Sequence, residues 1–104
     1  MDILQIKVYI IGSLSQVEQI ESAAKYYSSF FKHEVRYVKP EPDKPLMELI
    51  EKCYKDIMWA DIVYVVQKPD GTVGEGVQHE IVFANIMNKR VEMVDPTHWT
   101  FKEA

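Results

Sequence analysis

The chain has a single cysteine, Cys53, so no disulfide can form within it. That fits a reducing compartment, and a cytoplasmic protein is expected. Its three histidines, His33, His79 and His98, lie in different segments, and none stands at ligand spacing from a second histidine or a cysteine. Neither a metal nor another cofactor is therefore expected. No basic run or stripe is present: 12 lysines and arginines are mixed with 16 acids, for a formal net charge of −4. This argues against a nucleic-acid polymer as partner. It leaves a small anionic ligand open, because the amides at a helix start bind anions without any lysine. No hydrophobic run approaches the length of a bilayer span, so no membrane partner is expected. Residues 1–11 do not read as a signal peptide, since Asp2 and Lys7 interrupt the approach to a short apolar run. Several catalytic signatures are also missing. There is no Gly-Lys-Ser/Thr of a Walker loop, no dinucleotide fingerprint, no Gly-x-Ser-x-Gly and no usable Cys–His pattern.

What remains is ordinary for a packed domain: 104 residues, 47% hydrophobic and 27% charged, read as one domain over 1–104. Val8-Tyr9-Ile10-Ile11 is a continuous apolar run ending at Gly12, which suits a strand buried on both faces. Ser15-Gln16-Val17-Glu18 reads as a capping box, and Ser13 with Gln16 offers the same pattern two residues earlier. Val17, Ile20, Ala24, Tyr27 and Phe31 then mark one face of a helix ending near Lys32. Val35, Tyr37 and Val38 form a short second strand. Three prolines, Pro40, Pro42 and Pro45, make the next segment a stiff loop. Asp43 can cap the following helix, whose apolar face is Leu46, Leu49, Ile50, Cys53 and Ile57, ending near Trp59. On that face Cys53 reads as a buried small hydrophobe. Asp61 to Val66 contains a second continuous apolar run and reads as a third strand, Lys68-Pro69-Asp70-Gly71 as a turn, and about Val77 to Asn88 as a third helix. Arg90 to Val94 is a last strand, closed by Pro96. Trp99 and Phe101 predict that the tail docks on the domain. Strands alternating with helices imply right-handed crossovers. The expected fold class is α/β, a small flavodoxin-like three-layer sandwich with a parallel sheet of about four strands.

In such a sheet, ligands bind outside the carboxyl ends of the strands. Gly12 sits there between a strand and a helix, where a ligand can approach the backbone, and Ser13 and Ser15 add hydroxyls suited to a phosphate or sugar. The alternative is a turn glycine and a capping serine. Glu80 is more telling. It falls among Val77, Ile81 and Ala84 on the apolar face of the third helix, about one turn in. A carboxylate there is costly unless paired or used. The positive helix end favours its ionised form, and a partly dehydrated carboxylate is a nucleophile. The alternative is a solvent-facing first-turn glutamate. His79 projects about 100° away from Glu80 and reads as exposed. Asp61 opens the third strand and so falls at its amino end, as a turn residue between helix and strand.

Taken in order, these segments resemble the nucleoside 2-deoxyribosyltransferases and the related 2-deoxynucleoside 5-monophosphate N-glycosidases. Val8 to Ser13 is similar to their first strand and loop, and Ala60-Asp61-Ile62-Val63 to their "Ala-Asp" strand. Gly76-Val77-Gln78-His79-Glu80-Ile81, followed by Phe83-Ala84, is similar to their glycine-led helix with its catalytic glutamate. Asn88 to Val91 looks like the exit into the next strand. The resemblance implies that Glu80 attacks the anomeric carbon of a nucleoside or nucleotide, with an oxocarbenium-like transition state. It further implies that Asp61 orients the substrate, against its amino-end placement, and that Ser13 and the amides after Gly12 hold the 5-hydroxyl or phosphate. Ser15 is a second choice for that role, and Gly76 leads the substrate-facing helix. A homodimer is implied by the family and by the short chain. The sequence departs from the family at Val82, where glycine is common, and at Gly74, where an acid is common. These departures keep a non-catalytic nucleotide-binding module in play, and an interaction protein on the same scaffold beside it.

Overall fold

The computed structural model describes residues 5–39 and 43–94, without the side chain of Leu14. The elements are β1 (Lys7–Gly12), a 3-10 turn (Leu14–Gln16), α1 (Val17–Ser29), β2 (Glu34–Tyr37), α2 (Leu46–Trp59), β3 (Ile62–Val66), α3 (Glu75–Ile86) and β4 (Arg90–Val94). All strand pairs are parallel, and the sheet order is β2-β1-β3-β4.

The continuous apolar run of β1 has the meaning its pattern predicts. Val8, Tyr9, Ile10 and Ile11 are at most 1% exposed, because β1 is central and covered on both faces. Alternation sorts the side chains into two cores. Val8 and Ile10 pack with Ile20, Ala23, Ala24 and Tyr27 of α1. Tyr9 and Ile11 pack with Ile57 of α2, Ala60, Val63 and Val65, and with Val77 and Ala84 of α3. The molecule is thus a three-layer α/β sandwich with a four-stranded parallel sheet, of the flavodoxin-like class. The chain turns to opposite sides of β1 to make β2 and β3. The switch point is therefore at the carboxyl ends of β1 and β3, where α1 and α3 begin.

Gly12 closes β1 under tight constraint. A Cβ placed there would meet Ile20 Cδ1 and the Val66 carbonyl oxygen, each at 3.0 Å. Glycine at this position lets α1 and β3 come together, so packing accounts for it.

Several local expectations are corrected. No capping box forms at α1. The Gln16 amide donates to the Ser13 carbonyl at 2.8 Å, and this closes the 3-10 turn before the α-helix starts. Ser15 is left exposed. Helix α1 ends at Ser29, so Phe31 lies past it and is 53% exposed, and Lys32 takes the left-handed conformation. Asp43 does not cap α2. Pro45, extended, precedes the helix, and no side chain caps it. Helix α3 begins at Glu75, two residues before the expected start, and closes at Ile86. Val38 lies beyond β2, although its amide still reaches the Ile10 carbonyl. The expected proline loop at Pro40 and Pro42, the closing Pro96 and the docking of Trp99 and Phe101 lie outside the described residues.

Candidate functional site

Helix α2 runs back against the strands, so its first two turns lie at the carboxyl edge of the sheet. Its inward face outruns the core there. Ile57, near the other end, is fully buried, whereas Leu46 is 70% and Ile50 37% exposed. The expected core role of these two residues is corrected accordingly: both are exposed, and neither belongs to the buried core. They instead wall a cavity of about 380 Å³ together with Leu49, Cys53 and Tyr54 from α2 and Gly76, His79 and Glu80 from α3. Tyr54 stacks on Phe83 with centroids 4.2 Å apart and planes at 5°, which fixes the two helices against each other.

Glu80 is the chemical centre of this cavity. Its Oε2 is buried and has no hydrogen-bond partner among the described residues. Loss of hydration pushes its carboxyl group up to about 7. A carboxylate in that condition is costly to keep ionised and is available to a ligand. Behind it, the Tyr9 hydroxyl donates to the Cys53 sulfur. Burial, then that bond, raises the Tyr9 phenol, and burial raises the Cys53 thiol. Both groups stay neutral near pH 7. Cys53 is thus half-buried and lines the cavity, which corrects its reading as a plain core residue.

The remaining candidate residues divide. Gly76 lines the cavity, and a Cβ there would meet nothing within 4 Å. His79 is exposed yet borders the same space. Ser13 is half-buried and sits against the start of α3, its hydroxyl 3.0 Å from where a Cβ of Gly74 would be. It joins the β1 and β3 loops but does not line the cavity. Gly12 lies beneath it, and Ser15 points away on the exposed turn. Asp61 stands at the opposite, amino edge. Its carboxylate accepts from the Lys7 amide at 2.9 Å, and its own amide donates to the Lys7 carbonyl at 2.8 Å. The amino-end reading of Asp61 is the one the structure bears out. A role beside Glu80 is corrected: Asp61 satisfies the first residue of β1 instead.

Two residues of the site were not singled out from sequence. Tyr9 carried a signal, since a hydroxyl inside a buried aliphatic run needs a partner. Tyr54 carried none, because one aromatic residue on a helix flank is common.

Among the described residues no group of three histidine, cysteine, aspartate or glutamate side chains is gathered for a metal. No helix there is long and apolar enough to cross a membrane. Neither a protein-family model nor a curated protein sequence matches the chain.

Proposed function

We propose that this protein cleaves or transfers the N-glycosidic bond of a nucleoside or nucleoside 5-monophosphate, with Glu80 as nucleophile. The observation that carries the reading is the Glu80 carboxylate, whose buried Oε2 has no hydrogen-bond partner among the described residues, in a largely apolar cavity at the carboxyl edge of a parallel sheet. The order of motifs shared with the deoxyribosyltransferases supports it. Apolar walls from Leu46, Leu49, Ile50 and Tyr54 suit the faces of a base and sugar. A Glu80 oxygen attacks the anomeric carbon while the carbon–nitrogen bond breaks. The bonding pair leaves with the base, which takes up a proton. The resulting glycosyl ester of Glu80 is then opened by water, giving the free sugar, or by a second base, giving a new nucleoside. Either outcome regenerates the carboxylate. Attack requires the ionised form, so turnover rises from the acid side as pH passes through about 7, where Glu80 titrates. We place the protein in the cytoplasm and take it to work as a homodimer. The apolar residues left on the outer side of α3, Val82 and Ile86, suit such contact.

A second reading, a nucleotide-binding module without turnover, is favoured by one observation. Neither Ser13 nor Asp61 lines the Glu80 cavity. One experiment separates the two. The protein and its Glu80→Gln variant are incubated with a panel of nucleosides and 5-monophosphates, and free base is measured by chromatography. Base released by the wild type alone is the expected result. Binding by calorimetry without release would leave the module, and neither release nor binding would sink both readings.

A further inference from the structure

A second cavity, of about 310 Å³, lies on the other flank of α2, along the open edge of β2. Its lining is mixed, with Val35 and Tyr37 beside the charged groups, and among the described residues those groups are Arg36, Lys39, Lys52 and one carboxylate, Asp56. The guanidinium of Arg36 is held in place twice. It lies 4.1 Å from the centre of the Trp59 ring, and its Nη1 donates to Asp56 Oδ1 at 3.0 Å. Asp56 is buried, so this pair is anchored in the body of the domain. The arginine side chain is nonetheless 47% exposed, and Nη1 alone is engaged by Asp56, which leaves further donors on the fork. Lys39 Nζ is 5.0 Å from the centre of the Tyr37 ring, which draws that ammonium to the same strand. The backbone adds donors. The amides of Glu34 and Val38 reach β1, so strand alternation turns those of Val35 and Tyr37 to the open edge, and both residues line the cavity.

We propose that this cavity is a second ligand site, which takes a small anion bearing a phosphate group on Arg36, Lys39, Lys52 and the edge amides of β2. A guanidinium pre-set against an aromatic face offers planar paired donors, and flexible ammonium groups add charge, a combination suited to phosphate oxygens. Lysines also serve simply to keep sheet edges from pairing. That role needs no fixed arginine and no cavity between edge and helix. The site is separate from the Glu80 cavity, shares no lining residue with it, and does not depend on the proposed reaction.

The test is an amide NMR titration with inorganic phosphate and then pyrophosphate, at constant ionic strength. Saturable shifts centred on residues 35–39 and 52–56 are expected. Lys39→Gln/Lys52→Gln should weaken binding by about tenfold or more through lost charge-assisted bonds. Lys25→Gln/Lys32→Gln, with the same loss of charge on exposed positions at the far end of α1, should leave it unchanged. Glu80→Gln should also bind as the wild type does, which keeps this proposal distinct from the glycosidic one. Shifts that fail to saturate, that centre elsewhere, or that survive the Lys39/Lys52 change would overturn it.

Discussion

A carboxyl group raised by burial from 4.5 to about 7 binds its proton more tightly in the folded chain than in the unfolded one. Folding is therefore opposed wherever Glu80 must be charged. The penalty is absent below 4.5, grows between 4.5 and about 7, and is complete above that. At full size it is on the order of 3 kcal/mol. Glu80→Gln keeps the shape and removes the charge. The variant should thus be more stable than the wild type at about pH 8, by up to roughly that amount, and nearly equal to it near pH 4. Urea midpoints at the two pH values check this, and equal midpoints at alkaline pH would show that the carboxylate has a partner. The form of Glu80 that strains the fold is the same form that the proposed reaction needs as its nucleophile. A residue kept for reaction would carry that cost, whereas one kept for structure would have acquired a partner.

Helices α2 and α3 make the cavity, and the stacked rings of Tyr54 and Phe83 are part of the contact between them. Each ring is half-buried, so truncating either to alanine should cost about 1.5 to 3 kcal/mol. A double-mutant cycle should return a coupling of about 0.5 to 1.5 kcal/mol for the stack itself. Phe83→Ala should also weaken any ligand of the Glu80 cavity without touching it, because Tyr54 loses the surface that orients it. Additive changes in urea stability would show that the rings are neighbours only. At this scale the sequence was legible where periodicity alone decides. The buried run of β1, the order of alternating elements and the apolar face that includes Glu80 could all be read from spacing. It was not legible where a backbone choice decides. Ser15 and Asp43 have the chemistry of caps, but the 3-10 turn and the extended Pro45 take their places. Nor does spacing report how far a helix overhangs its sheet. Leu46 and Ile50 carry a core pattern and line a cavity, because α2 continues past the strands that would have covered them.

For the whole molecule, the order β2-β1-β3-β4 brings the ends of β1 and β3 together, with Ser13 beside Gly74 at the junction. Glu80 follows within two turns, while Asp61 is carried to the far edge by the length of β3. Only one of the two carboxylates implied by family resemblance is therefore available to the cavity from this chain. Its walls come from two helices, one of which is apolar on its outer side as well. Val82 is 56% and Ile86 66% exposed on α3. In a monomer both would face water, an arrangement that a helix apolar on more than one face ordinarily avoids by burial. The proposed homodimer covers them, and a second copy set against α3 would lie next to the open side of the cavity. Sedimentation at high micromolar concentration should then give a dimer. Val82→Glu/Ile86→Lys should shift it to monomer with little effect on the fold, since exposed substitutions change stability by only about 0.5 kcal/mol. If base release falls together with dimerisation in that variant, the second copy helps to close the site. If the variant dimerises like the wild type, the outer face of α3 is not the interface. If the wild type is itself monomeric at that concentration, the dimer is excluded and the cavity must act with the walls one chain provides.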